Sequence, residues 1–162
     1  MKIRTILMIT MLLLVFGAKA ADPSNPGILG TSEGESPVVQ NITKADFLSK
    51  IMDYEKNPTQ WVFKGDKPCI VDFYAAWCGP CRITSPILEE LAQQYKGKIN
   101  VYKVNVDRER ELSQVFGISG IPAFLYCPMD GKPSMSSGIA GDKEQTKQMF
   151  INNIQTILLN KK

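Results

Sequence analysis

Two cysteines, Cys78 and Cys81, are separated by two residues in the run WCGPC. Thiols at this spacing serve as half of a zinc site, as a structural disulfide or as a redox couple. Zinc needs four ligands, typically from two such pairs, and the chain has no second pair at this spacing and no histidine. A structural disulfide across so short a loop adds little stability. The spacing therefore favours a redox couple.

The residues on either side of the pair predict a strand followed by a helix. The run 69–76, CIVDFYAA, is rich in β-branched and aromatic residues, as in a strand buried on both faces. Apolar residues then recur at helical spacing, at Ile83, Ile87, Leu91 and Tyr95. Pro80 suits the first turn of this helix. Unpaired N–H groups at a helix start lower the pKa of a thiol, so we predict Cys78 as the more exposed nucleophile and Cys81, one turn inside, as the resolving thiol.

A carboxylate and an amine lie on the strands nearest the pair. Asp72 occupies the middle of the otherwise apolar run, six residues before Cys78. Burial would raise its pKa and allow it to exchange a proton with Cys81 near neutral pH; the alternative is a side chain that reaches solvent at a strand edge. Lys103, on a third predicted strand over 100–107, is the expected charge partner, with an ordinary solvated lysine as the alternative.

A proline directly precedes the fourth predicted strand. The run GISGIPAF places Pro122 before residues 123–127, where proline cannot join the ladder from inside. A tight turn at this point can hold a cis peptide bond, although spacing alone favours an ordinary trans bond. The backbone of Ile121 would be free to pair with an extended substrate.

The remaining elements complete the order βαβαβαββα, which predicts an α/β fold with a mixed sheet covered by helices on both faces. They are a strand in 37–42, a helix capped by Thr43, a helix in 108–117, a fifth strand in 134–139 and a last helix that begins at Asp142. Segment 53–67 connects the first helix to the second strand. We expect its Trp61 and Phe63 to fold back over the core; an exposed partner surface is the alternative.

The N-terminus is typical of a secretory signal. The apolar run Ile6–Phe16 follows a basic start and precedes the small-x-small pattern of residues 18–20. The run is short for a membrane span, so a cleaved signal peptide over 1–20 is favoured over an uncleaved anchor. Residues 21–36 are rich in Pro, Gly, Ser and acids and predict a flexible linker, which leaves 37–162 as the folded domain.

The charge of the chain resides in that signal. Lys2, Arg4 and Lys19 account for the formal net charge of +3, so the remainder is close to neutral. A nearly neutral domain has no electrostatic footprint for nucleic acid.

The sequence resembles the thioredoxin family over roughly 37–160. The runs VDFYAAWCGPC, ITSPILEELA, VNVD and GISGIP occur in thioredoxin order and spacing. The resemblance implies a five-stranded thioredoxin fold, with Cys78 as the attacking thiolate and Cys81 as the resolving thiol. It also implies a buried proton acceptor at Asp72 with Lys103 beside it.

Further implications of the resemblance concern the surroundings of the thiols. They are a helix kink at Pro86 and a cis bond before Pro122. The substrate-binding surface would comprise Trp77, which shields the active site, with Gly79, Pro80, Gly120, Ile121 and Pro122.

Three features depart from the family pattern. Tyr74 stands where thioredoxins usually have tryptophan, and segment 53–67 is longer than usual. Cys69 and Cys127 are additional cysteines, which the thioredoxin strand order places at the same end of an antiparallel pair. We expect two buried, unreactive thiols; a cross-strand disulfide is the alternative and demands favourable geometry.

These patterns predict a reductase of disulfides in exported proteins, periplasmic or secreted, monomeric and without metal or cofactor. A membrane thiol carrier would supply its electrons. A histidine beside the proline would stabilise the reduced thiolate and favour oxidation, and Gly79-Pro80 has none. A disulfide-donating oxidase or isomerase is the first alternative, and a non-catalytic binding module of the same fold is the second.

Overall fold

The computed structural model describes residues 38–160. The predicted signal peptide, 1–20, the predicted linker, 21–36, and the first residue of the predicted domain lie outside the described residues. Within 38–160, no helix has both the length and the apolar character that crossing a membrane requires.

The described residues form one five-stranded mixed sheet. Its strands are β1 (Val39–Asn41), β2 (Cys69–Tyr74), β3 (Asn100–Asn105), β4 (Ala123–Cys127) and β5 (Ser134–Ser137). Their lateral order is β1-β3-β2-β4-β5. Strands β1 and β2 run parallel to β3, whereas β4 is antiparallel to both β2 and β5. This is the predicted α/β thioredoxin fold, with a fifth strand two residues shorter than predicted.

The helices are α1 (Lys44–Lys50), α2 (Cys81–Gln94), α3 (Arg110–Val115) and α4 (Lys143–Asn153), which continues as a π-helical turn over Ile154–Leu158. Short polar side chains begin two of them, as predicted. The Thr43 hydroxyl accepts from the Asp46 amide at 3.2 Å, and Asp142 accepts from the Gln145 amide at 2.8 Å. Such caps satisfy N–H groups that have no partner within the helix.

The sheet separates two apolar layers, because alternate side chains of a strand point to opposite faces. Val71 and Phe73 of β2 pack with Phe47 of α1 and Leu112 of α3. On the other face, residues of β2 to β4 pack with α2 and α4 through Ile70, Phe124, Ile87, Leu91 and Phe150. Strand β2 is therefore buried on both faces, as its composition predicts.

Segment 53–67 packs against the α1/α3 layer. The rings of Trp61 and Phe63 contact this core and stack on each other, with centroids 6.4 Å apart and planes 9° from parallel. The Lys64 amide donates to the Ile51 carbonyl at 2.9 Å. The predicted return over the core is confirmed, and the alternative of an exposed partner surface is wrong.

The apolar face predicted for α2 is wrong at its first residue. Ile83 is 39% exposed, whereas Ile87 and Leu91 are fully buried. The helix instead turns Cys81 and Thr84 inward near its start. Pro86 lies inside α2, at the place of the predicted kink.

Candidate active site

Cys78 and Cys81 form a disulfide at the junction of β2 and α2. Cys81 is the first residue of α2, and Cys78 lies in the turn before it. The prediction that Cys81 lies one turn inside the helix is therefore wrong by most of a turn. The expected consequence for Cys78 is nevertheless present, because the Cys81 amide donates to the Cys78 Sγ at 3.2 Å. A backbone N–H in this position stabilises a thiolate once the disulfide is reduced.

Gly79 and Pro80 shape the turn that brings the two sulfurs together. The Gly79 carbonyl accepts from the Arg82 amide at 3.1 Å, and the Pro80 carbonyl accepts from the Ile83 amide at 3.0 Å. Pro80 precedes the first helical residue with φ −61° and ψ −31°. Its fixed φ therefore suits the start of the helix, as predicted.

Both sulfur-bearing residues are buried. Cys78 is 3% exposed and Cys81 is 2% exposed, so the predicted greater exposure of Cys78 is wrong for the disulfide form. The side chains of Tyr74, Val106 and Ile121 pack against the pair. A partner disulfide must therefore contact this apolar cover on its way to Cys78.

Asp72 is fully buried in the middle of β2. Within residues 38–160, neither oxygen of its carboxylate has a hydrogen-bond partner. Desolvation raises the pKa of Asp72 to about 7, while the positive charge of Lys103 acts in the opposite direction. The alternative of a solvent-reaching side chain is wrong. A carboxyl group in this environment is able to take up and release a proton at neutral pH.

Lys103 is the register partner of Asp72 on β3. Its Nζ donates to Ser85 Oγ at 2.7 Å and lies 4.5 Å from the centre of the Tyr74 ring. The charge of Lys103 thus acts on Asp72 through space, without a hydrogen bond to the carboxylate. The side chain is partly buried, so the interpretation as an ordinary solvated lysine is also wrong.

Ser85 and Tyr74 were not assigned to this site by sequence reasoning. Tyr74 occupies the position where the family usually has tryptophan, and its hydroxyl donates to Asn41 Oδ1 at 2.9 Å. The departure from the pattern was a signal, because the hydroxyl makes a bond to β1 that an indole in its place would have to replace. No signal in the sequence pointed to Ser85.

The peptide bond Ile121–Pro122 is cis, as the resemblance implies and contrary to the default from spacing alone. Pro122 is buried, and its carbonyl accepts from the Gly138 amide at 2.9 Å. In the part of the chain that the structure describes, Ile121 makes no backbone hydrogen bond. Its backbone therefore remains available to an extended partner beside the disulfide, and Gly120 next to it is exposed.

Trp77 is 67% exposed, and its indole Nε1 donates to Asp107 Oδ2 at 3.0 Å. It forms one wall of a groove of about 500 Å³, with Ile121, Gly120 and Arg110 among the other lining residues. The disulfide itself is covered by other side chains, so Trp77 borders its approach. Asp107 was missed by sequence reasoning, although it ends the VNVD run that carries the resemblance.

The two additional cysteines are direct register partners on β2 and β4. Cys69 and Cys127 are both buried free thiols. Burial, with the neighbouring Cys69, raises the pKa of the Cys127 thiol well above its ordinary value. This agrees with the expectation of two buried thiols. Among residues 38–160, no cluster of three or more metal-ligating side chains occurs.

Comparison with known proteins identifies the family. The thioredoxin family model matches residues 39–155. The thioredoxin of Borreliella burgdorferi is 47% identical over 98 residues, which are 60% of this chain and 83% of the relative. That of Pseudomonas aeruginosa is 37% identical over 116 residues, 72% of this chain and 96% of the relative. The crystal structure of chloroplastic thioredoxin z is similar with a TM-score of 0.54 and 26% identity, covering 73% of this chain and 95% of that one.

The fold and the dithiol site define a thiol-disulfide oxidoreductase, an enzyme that reduces protein disulfides. The chain belongs to the thioredoxin family.

Proposed function

We propose that this chain reduces disulfides in exported proteins through Cys78 and Cys81. The Cys78 thiolate attacks one sulfur of the substrate disulfide, which forms a mixed disulfide and releases the other substrate sulfur as a thiolate. The Cys81 thiolate then attacks the Cys78 Sγ, which forms the intramolecular disulfide and releases the second substrate sulfur. Two electrons pass from the enzyme dithiol to the substrate.

The observation that carries this proposal is the hydrogen bond from the Cys81 amide to the Cys78 Sγ. It singles out Cys78 as the sulfur whose negative charge is stabilised by backbone at the helix start. A thiolate, rather than a thiol, is the nucleophile in disulfide exchange. Cys81 has its own amide turned toward its neighbour and is suited to the second attack.

Asp72 is proposed as the proton acceptor for that second attack. Cys81 must lose its proton before it can resolve the mixed disulfide, and a buried carboxyl with a pKa of about 7 can receive it. Lys103, the residue opposite on β3, would limit the rise in the pKa of Asp72 and so keep part of it ionised at neutral pH.

Substrate docking is proposed at the edge formed by Ile121, Gly120 and the cis proline, Pro122. An extended segment can pair with the unbonded backbone of Ile121, which directs its disulfide toward Cys78. Trp77, with Gly79 and Pro80 of the turn, would form the other side of this surface.

Export is proposed from the N-terminal sequence alone. The predicted signal peptide over 1–20 would place the enzyme in the periplasm or outside the cell, as a monomer supplied with electrons by a membrane thiol carrier. N-terminal sequencing of the protein purified from the producing cell tests this. A new terminus near residue 21 supports export, whereas an intact residue 1 on protein from the cytoplasm contradicts it.

A trapping experiment tests the assignment of the two cysteines. With a disulfide-bonded protein such as insulin, Cys81→Ser should accumulate a mixed disulfide through Cys78, and Cys78→Ser should accumulate none. Turnover with a chemical electron source should be lost in both variants. Activity that survives Cys78→Ser unchanged would contradict the mechanism, and a wild-type protein that binds substrate without reducing it would favour the non-catalytic alternative.

A further inference from the structure

Three arginines around the disulfide have no carboxylate partner. Arg82 follows Cys81 directly, and Arg108 and Arg110 lie in and next to the start of α3. All three are exposed, and within residues 38–160 none of their guanidinium groups takes part in a hydrogen bond or ion pair of the protein. Arginine presents a planar fork of donors that matches a carboxylate in geometry.

The acidic residues of the same region are already engaged. Asp107 accepts the indole N–H of Trp77 at 3.0 Å, and Glu109 accepts the Lys44 amide at 2.9 Å. Glu111 forms an ion pair with the Lys44 ammonium at 2.7 Å. The positive charges therefore face solvent with free donors, while the negative charges are held by the fold.

The arginines lie on different sides of the disulfide. Arg110 lines the groove bounded by Trp77 and Ile121, which is the approach to Cys78. Arg108 borders the adjoining depression together with Ala76. A segment that pairs with the backbone of Ile121 and enters this groove must place its flanking side chains near Arg110.

We propose that this surface selects extended segments that carry acidic side chains close to their disulfide, with Arg110 as the main contact. The proposal rests on the proposed reductase function and adds a substrate preference to it. Exposed charges at the rim of an interface act mainly on the association rate and on its salt dependence. The preference is therefore a matter of a few-fold in rate, and screening by salt reduces it.

Three disulfide-bonded peptides that differ at one position beside the cysteine test the proposal, with Glu, Gln or Lys there. The full folded enzyme should reduce the Glu peptide about threefold to tenfold faster than the Lys peptide, measured as kcat/KM at low salt. The ratio should fall toward one at roughly 0.5 M salt. Equal rates for the Glu and Lys peptides at low salt would overturn the preference.

Variants at Arg110 locate the effect. Arg110→Gln should lower the Glu-to-Lys rate ratio by about threefold, and Arg110→Lys should retain most of it because the charge is kept. Lys132→Gln is the matched control, because it removes an exposed charge beyond the far end of β4 and should leave the ratio unchanged. A ratio that is insensitive to Arg110→Gln would overturn the assignment to this residue.

The test separates this proposal from the proposed function. Reduction of all three peptides at one common rate keeps the reductase and contradicts the acidic preference. Failure to reduce even the Gln peptide with a chemical electron source contradicts the reductase function, and the preference with it.

Discussion

Asp72 and Lys103 are register partners on adjacent parallel strands, yet the Lys103 ammonium donates its 2.7 Å hydrogen bond to Ser85. Within the described residues, the Asp72 carboxylate is left buried with both oxygens unpaired. A buried carboxylate that lacks a hydrogen-bonded partner favours its protonated form. This arrangement provides a proton-exchanging group next to a dithiol, and several measurable consequences follow from it.

Replacement of Asp72 by Asn should impair proton transfer while the fold is kept. We expect Asp72→Asn to slow single-turnover disulfide exchange about 10- to 100-fold near pH 7, since general base assistance of Cys81 is lost. The rate should also lose the pH dependence centred near 7. Stopped-flow fluorescence over pH 5–9 measures both effects, with the exposed residue changed in Asp130→Asn as control. An unaltered rate and pH profile would assign Asp72 a structural role only.

The same carboxyl should make stability depend on pH. Its pKa is about 7 in the folded protein and 3.8 in the reference state, so the folded chain binds more protons between these values. Stability is therefore highest below about pH 4 with respect to this group, and it falls as the pH rises through 7. Asp72→Asn should raise the free energy of unfolding at pH 8 by up to about 4 kcal/mol, with little gain at pH 4.

Urea denaturation of the oxidised protein at the two pH values provides this measurement. The quantity of interest is the difference between the stabilisation at pH 8 and that at pH 4. An equal effect of Asp72→Asn at both values would show that the carboxyl is ionised, or neutral, to the same extent in the folded and unfolded chains.

Removal of the Lys103 charge should raise the pKa of Asp72 above about 7, because Lys103 is the group that lowers it. Carbon-13 NMR titration of the Asp72 carboxyl in Lys103→Met measures the change, with Lys132→Met as the control for a remote lysine. A pKa that stays the same or falls would mean that the ammonium held by Ser85 has no electrostatic influence on Asp72.

The additional cysteines should be free thiols in the oxidised protein. Denatured under non-reducing conditions, the chain should react with thiol reagent at Cys69 and Cys127 only, two of its four cysteines. The native protein should react slowly at both, because they are buried. No reaction after denaturation would reveal a cross-strand disulfide.

Much of the site could be predicted from local sequence. The apolar run around Asp72 predicts a strand buried on both faces, which by itself makes the carboxyl unusual. The spacing of Cys78 and Cys81 before a helical pattern predicts a thiol at a helix start. These features were accessible because the residues that define them lie within one strand and the turn that follows it.

Contacts between distant segments could not be predicted in this way. The bonds from Lys103 to Ser85 and from Trp77 to Asp107 join residues 18 and 30 positions apart. The exposure of Cys78 depends on cover by Ile121, which belongs to another segment. The cis bond before Pro122 was left open by spacing and indicated only by family resemblance, since many X–Pro turns are trans.

The reduction potential of the Cys78–Cys81 pair tests the central claim most directly. The protein over residues 21–162 would be equilibrated with graded ratios of reduced and oxidised dithiothreitol and glutathione, and the oxidised fraction followed by thiol trapping. The account predicts a potential near −270 mV, a figure of about that size being established for thioredoxin itself rather than derived from this chain. A value near about −120 mV, typical of a dedicated oxidant, would contradict the account and make the chain a donor of disulfides.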